Sequence, residues 1–259
     1  MKAKLPFFMV LLFTLNLTCL SFAQIQSQEG PQKIKLKPAL GFEYFSRTIN
    51  WDENKYNSTL KSYLFMANLE FVIQEGFSLG LLLGYSSSNC DGMIFRQLPF
   101  SVELEVGGIS GYLFGAEINK NVISYGDFEL DLFAQFVYSL GVKNTWDIPG
   151  LNVESTAEGK PSWMRAVAGP LVSYQGWDYF YPYLSVNFNY LWGTFEMEET
   201  VQTLKGTEDK KFTGDGLFGF SLGAIYKATD SFSLKGEASF IPYKNGIDLG
   251  FMLKAAYSF

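Results

Sequence analysis

The stretch FELDLFAQFVYSLGV, residues 128–142, decides most of what this chain can become. Phe128, Leu130, Leu132, Ala134, Phe136, Tyr138, Leu140 and Val142 share one face of an extended segment. Glu129, Asp131, Gln135, Ser139 and Gly141 share the other. Period-two alternation marks a strand with two unlike faces. It recurs in FSLGLLLGY (77–85), where Phe77, Leu79, Leu81, Leu83 and Tyr85 oppose Ser78, Gly80, Leu82 and Gly84. It recurs again in 180–192, where Phe180, Leu184, Val186, Phe188, Tyr190 and Trp192 oppose Tyr181, Tyr183, Ser185, Asn187 and Asn189. No long stretch repeats apolar residues at helical spacing, and beyond the N-terminal segment no run reaches the ~18 apolar residues of a spanning helix.

Two properties separate these segments from the strands of a soluble sandwich. They are long, where about 5–6 residues is usual, and their apolar face is rich in aromatics while the other face is small or charged. Aromatic residues make up 17% of the chain, 25 Phe and 15 Tyr among them. A soluble ligand-binding barrel points its apolar face inward. Small and charged residues on the inner face require the apolar face to meet lipid. An open sheet edge in hydrocarbon leaves backbone groups unpaired at several kcal/mol each, so the strands must close into a barrel.

The alternation predicts ten strands, over 36–47, 60–73, 77–87, 98–118, 128–142, 162–174, 179–192, 215–227, 231–242 and 247–259, with twelve as the alternative. The fourth contains VGGIS (106–110), a candidate hairpin turn. Uninterrupted alternation keeps Phe100, Val102, Leu104, Val106, Tyr112, Phe114, Ala116 and Ile118 on one face and Glu103, Glu105 and Glu117 on the other, so it is read as one strand. An even strand number then puts both ends of the barrel on one side, with the longer connections 48–59, 88–97, 143–161 and 193–214 on the other. The inner turns are 74–76, 119–127, 175–178 and 228–230. A strand this long rises above the apolar band, so part of the sheet is expected to project beyond the membrane.

Residues 1–23 read as a signal peptide. Lys2 and Lys4 precede the apolar run LPFFMVLLFTL (5–15), and Ser21-Phe22-Ala23 forms a small-x-small cleavage site. Residues 24–35 form a short segment before the barrel at 36–259. Cleavage leaves 18 Lys and Arg against 26 Asp and Glu, a net charge of -8. With a pI near 4.8, no nucleic-acid partner is expected. Cleavage also removes Cys19, leaving Cys90 alone, read as an incidental loop thiol.

The signal peptide, the alternating aromatic strands and the closing segment IDLGFMLKAAYSF (247–259) together resemble bacterial outer-membrane β-barrel proteins. In the last strand Ile247, Leu249, Phe251, Leu253, Tyr257 and Phe259 alternate with Asp248, Lys254 and Ser258. The resemblance implies an outer-membrane location and lipid contact. It also implies that Tyr257 and Phe259 form the signal read by the barrel-assembly machinery. It singles out no subfamily.

GFSLG occurs at 76–80 and 219–223 and matches the Gly-x-Ser-x-Gly pattern of a hydrolase elbow. That motif needs a strand-turn-helix and a histidine base. Both copies lie in strand alternation and the chain contains no histidine, so Ser78 and Ser221 read as small lumen residues and no enzyme is expected. No metal or cofactor pattern is visible. The inward charges are the main constellation: Glu43, Glu70, Glu103, Glu105, Glu117, Glu129 and Asp131 on the first five strands, and Arg165, Lys235, Glu237, Asp248 and Lys254 on the last five. Closure brings Lys254 toward Glu43. Such a lumen is either a self-satisfied network filling a plugged barrel or a narrow, acid-lined passive channel. The alternative is a surface interaction protein acting through loops 48–59, 143–161 and 193–214 on an unidentified ligand. Trp177 and Trp192 suit a membrane-interface belt. Trp51 and Trp146 suit contacts within the loops or with a partner.

Overall fold

A computed structural model describes residues 34–51, 57–74, 76–95, 102–147, 155–202 and 204–259, with side chains described throughout these except within 92–107 and at 147. The expected signal peptide falls outside the described residues. Twelve antiparallel strand segments are present: β1 Lys35–Trp51, β2 Asn57–Gln74, β3 Phe77–Phe95, β4 Val102–Tyr125, β5 Phe128–Gly141, β6 Asn144–Asp147, β7 Ser155–Tyr174, β8 Phe180–Val201, β9 Leu204–Gly214, β10 Phe218–Lys227, β11 Phe232–Tyr243 and β12 Gly246–Tyr257. Ten of them pair in an unbroken ring, β1-β2-β3-β4-β5-β7-β8-β10-β11-β12, closed by β12 against β1 from Ala39 opposite Ala256 to Ser46 opposite Leu249. The ten-stranded expectation holds. The other two segments continue ring strands: β6 carries β5 onward along β7, and β9 precedes β10 along β8.

Alternation explains the two faces. Outward positions are exposed and apolar, as at Leu81, Leu83, Phe114, Leu184, Val186 and Phe251, while their neighbours Ser78, Ser86, Ser185 and Ser221 are buried inside. On β8 the outward apolar run extends from Phe180 to Trp192. At ~3.3 Å per residue and ~45° tilt that is roughly 30 Å, close to the ~25 Å apolar band of a barrel. Beyond Trp192 the outward residues become Thr194, Glu196, Glu198 and Thr200. The strand continues to Val201, so roughly 20 Å of sheet projects beyond the belt.

Several boundaries differ from the expectation. Segment 193–214 is not a loop but the β8–β9 hairpin, with Glu196 opposite Asp209 and Thr200 opposite Lys205. β1 and β2 extend into 48–59, β6 and the start of β7 occupy much of 143–161, and β4 continues through 119–125. β4 is a single strand, but its alternation is interrupted. Ser88 faces Ile109 while Cys90 faces Val106, so β4 carries an extra residue where Gly108 adopts φ +69°. A side chain is strained at that φ, which is why glycine stands there.

Above the belt the ring narrows. The β11–β12 hairpin ends at Tyr243 and Gly246, and beyond it β9 pairs directly with β1, Phe212 opposite Trp51. The loop end is therefore bounded by eight segments, β9, β1, β2, β3, β4, β6, β7 and β8. Among the described residues no strand pairing closes β4 to β6, but Asn144 Nδ2 donates to Gly108 O at 3.2 Å.

Candidate functional site

Inside the ring, polar layers are stacked along the axis. Nearest the chain termini, Lys37 meets Glu70 at 3.6 Å, Asn121 donates to Asp131 at 2.9 Å, and Gln175 donates to Glu129 at 3.2 Å. The middle layer contains three clusters. Arg165 donates through Nη1 and Nη2 to Glu43 at 2.5 and 2.8 Å, a bidentate fork, and also to Gln135 at 3.3 Å. Lys254 Nζ donates to Glu117 at 2.8 Å, and Asn68 Nδ2 donates to the same oxygen at 2.5 Å. Tyr183 donates to Glu237 at 2.6 Å, with Lys235 3.3 Å from that carboxylate and over the tyrosine ring. Glu43, Asn68, Glu117, Gln135, Arg165, Lys235, Glu237 and Lys254 line a cavity of about 160 Å³.

The next layer lies where the ring narrows. Arg47, 2% exposed, donates to Asp248 at 3.2 Å, to Asn189 at 2.6 Å, and to the carbonyls of Asp215 and Gly216 at 3.1 and 2.9 Å. Asp248 also accepts from Thr48 N and Thr48 Oγ1, both at 2.9 Å. Here β1 leaves β12 for β9, and Asp248 satisfies the backbone N–H at the branch. Gly216 takes φ +77°, and a Cβ there would lie 2.5 Å from Pro242 O.

Above this knot the interior turns apolar. Phe45, Ile49, Trp51, Leu60, Leu64, Cys90, Ile109, Leu113, Val137, Trp163, Leu191, Phe195 and Phe212 form one buried cluster. Trp163 meets Phe45 edge-on at 5.4 Å, and Trp51 meets Phe212 at 5.3 Å while its indole N–H donates to Ser58. The loop end is thus filled by a hydrophobic core.

Most of the residues singled out by alternation have their side chains in these layers, with two differences, at Lys254 and Cys90. Lys254 does not pair with Glu43. It lies opposite Gly41 across the seam, and its ammonium spans the lumen to Glu117 on β4, leaving Glu43 to Arg165. The side chains of Glu103 and Glu105 lie outside those described. Cys90 is not a loop thiol: it lies in β3 at 2% exposure, and burial pushes its pKa up to about 12.

Among the tryptophans, Trp51 is buried and Trp146 packs on the core, while Trp177 stacks with Phe180 and Trp192 with Tyr190. Both GFSLG copies lie in or at the edge of strands. Their glycines make room for inward side chains: a Cβ at Gly80 would meet Glu117, and one at Gly223 would meet Tyr183. Sequence reasoning passed over Arg47 and Asn68. Arg47 was legible, because it stands four residues after Glu43 on the same face.

In the head, Glu199 on β8 is 2% exposed and neither carboxylate oxygen has a hydrogen-bond partner among the described residues. Burial, followed by the nearby Glu208 carboxylate, raises its pKa above the usual range. Outside, Glu158, Glu196, Glu198 and Asp209 occupy adjacent positions on β7, β8 and β9. Lys143 pairs with Glu158, and Lys205 lies 3.2 Å from Glu198. Among the described residues no group of three or more His, Cys, Asp or Glu is placed to hold a metal ion.

No known family pattern and no curated protein matches the chain. Solved structures do. The outer membrane protease OmpT of Escherichia coli aligns at 13% identity over 90% of this chain and 99% of its own, with a TM-score of 0.54. The translocator domain of the autotransporter NalP from Neisseria meningitidis aligns at 13% identity over 96% and 95%, with a TM-score of 0.49. An outer membrane channel from Pseudomonas putida F1 aligns at 10% over 90% and 98%, with a TM-score of 0.37. At these identities the likeness concerns fold alone, and only the first score carries weight. Taken with the closed ten-strand ring and the outward apolar belt, it gives this chain the fold of a bacterial outer-membrane β-barrel protein.

Proposed function

We propose that this protein is a plugged, non-enzymatic barrel of the bacterial outer membrane that works through its projecting head as a surface interaction protein. The observation that carries this reading is the solid loop end. Trp51, Ile109, Trp163, Leu191, Phe195 and Phe212 fill the interior where a channel would need an exit. The head is built of paired strands rather than free loops, so its outer face is pre-organised for binding. That face, with Glu196, Glu198, Lys205, Asp209 and Lys211, is polar and of mixed charge, suited to a polar macromolecular partner. The absence of histidine from the chain argues against the usual general-base chemistry of hydrolytic barrels.

The second reading, a narrow passive channel, draws on the charged middle layer and requires the head core to open. Planar-bilayer recording of the refolded chain without residues 1–23 separates the two. The wild type should be silent, and Trp163→Gly with Leu191→Gly should conduct. Steady single-channel openings of the wild type would overturn the plugged reading.

A further inference from the structure

Halfway round the head from the charged β7–β9 face, the outer surface of β2, β3 and β4 has a different character. Its outward side chains change from apolar to polar within one row. Phe65, Leu83 and Phe114 are exposed in the belt, and Tyr63, Tyr85 and Tyr112 are exposed at its upper edge. Tyrosine suits that level, where one end of the side chain meets hydrocarbon and the other meets water. The next outward residues are Lys61, Ser87 and Ser110, and Ser87 stands opposite Tyr63 on one side and Ser110 on the other.

Ser87 floors a shallow hollow, because each of its taller neighbours is engaged elsewhere. Tyr63 packs on Tyr44 of β1, ring centroids 5.0 Å apart. Lys61 Nζ donates to Asp91 at 2.8 Å. Asn89 Oδ1 accepts from Gly108 N at 3.0 Å, and Tyr85 Oη donates to Ser110 Oγ at 2.6 Å. β2 and β4 stand roughly 10 Å apart across β3, two strand spacings, which is wide enough for one sugar ring. Among the described residues the Ser87 hydroxyl, the Asn89 amide N–H groups and the Tyr63 and Tyr112 hydroxyls have no hydrogen-bond partner. Ser87 is half-buried and the other three are exposed, so these groups are open to a ligand.

The chemistry on offer is neutral. Around the hollow the charges are Lys61 and Asp91, and they are paired with each other. A phosphate drawn to Lys61 would also meet the Asp91 carboxylate, which repels it. Hydroxyl and amide groups beside aromatic rings match a neutral polyhydroxyl ligand: its hydroxyls exchange hydrogen bonds with Ser87 and Asn89, and its C–H face packs on tyrosine. The hollow also continues downward, without a break, into the lipid-facing belt at Phe65, Leu83 and Phe114. We infer that this face binds a glycolipid, with an uncharged sugar in the hollow over Ser87 and its hydrocarbon chains against the belt below. The site lies on the other side of the head from the β7–β9 face and does not depend on what that face binds.

Native mass spectrometry of the refolded barrel in a zwitterionic detergent tests this. The probes are monoglucosyl diacylglycerol, phosphatidylcholine and phosphatidylglycerol with the same acyl chains, and maltose. The glucosyl lipid should be retained several-fold more than either phospholipid, and maltose should bind far more weakly. Ser87→Phe fills the hollow and should abolish the preference. Tyr112→Leu keeps the belt apolar and should weaken retention of the glucosyl lipid by about three- to tenfold, the loss of one hydrogen bond and a ring face. Both positions face outward, so strand content and unfolding midpoint should stay near wild type. Equal retention of the three lipids would mean ordinary belt lipid, preference for phosphatidylglycerol an anion site, and maltose binding as tight as the glycolipid a free glycan. Each of these would overturn the inference, as would a preference that survives Ser87→Phe.

Discussion

Replacing Arg47 with methionine keeps the length of the side chain and removes its charge and donors. In the folded barrel that guanidinium makes four hydrogen bonds, to Asp248, Asn189 and the carbonyls of Asp215 and Gly216. Asp248 would keep its two bonds from Thr48 but lose its counter-charge at 5% exposure. Removing one partner of a buried pair costs about 3–5 kcal/mol, because the other charge is left uncompensated. Against a typical stability of about 5–15 kcal/mol this is a large fraction.

Chemical unfolding of the refolded protein in micelles, followed by tryptophan fluorescence, measures that cost. Asp248→Asn completes a double-mutant cycle. The double variant should be more stable than the sum of the single effects predicts, by about 2 kcal/mol, since neither charge is then stranded. Hydrogen exchange in 204–217 should rise in the single Arg47 variant, because the β9–β10 link loses its anchor. A cost below about 1 kcal/mol for Arg47→Met, or strict additivity in the cycle, would refute the idea that this pair holds the branch of the sheet.

Other expectations follow from the same geometry. Cys90 should resist maleimide in the folded barrel at pH 8 and react after unfolding, since burial keeps the thiol protonated; fast labelling of the native protein would contradict its placement. Glu199→Leu should stabilise the head by about 1–3 kcal/mol by removing two unpartnered buried oxygens, read as slower proteolysis of the β8–β9 hairpin. In the wild type the raised Glu199 pKa means the folded head holds its proton more tightly than the unfolded chain. Head stability should therefore be full below the ordinary glutamate pKa and fall as pH rises from there through the raised value; no such slope, or a slope that persists in Glu199→Leu, would sink this assignment. Deleting Phe259, which sits edge-on to Tyr257 at 5.0 Å, should lower the amount of assembled barrel in the membrane while leaving the unfolding midpoint of the assembled fraction nearly unchanged. Normal assembled levels would count against an assembly role.

The ring strands were legible because lipid imposes a simple rule on every outward side chain, and Leu81, Phe114 and Phe251 obey it. Where the sheet leaves the membrane the rule lapses. On the β8–β9 hairpin the outward Glu196, Glu198, Lys205 and Asp209 face water, while Glu199, Glu208 and Lys210 point inward. Charge on both faces erases alternation, so a hairpin read as a loop. The partner of Lys254 was illegible for a different reason. Strand adjacency in sequence fixes which backbones pair, but not which long side chain spans the lumen. Glu43 lies near the seam, yet Arg165, entering from β7, offers it a two-pronged fork that an ammonium cannot match. Gly108 shows a third limit: one extra residue offsets the register of a strand against its neighbour, and VGGIS gives no warning of it.

The early end of the β11–β12 hairpin at Tyr243–Gly246 sets the bore of the molecule. Barrel diameter grows with strand number, and about eight strands is the width that side chains alone can fill. By stopping two strands short, the chain changes calibre partway along its axis: a ten-strand section wide enough for a hydrated chamber, capped by a section near the solid limit. Extending that hairpin upward with two alternating segments would wedge β9 away from β1 and convert the cap into more of the same tube. Four residues at a tight turn thus decide whether this fold is a vessel or a conduit.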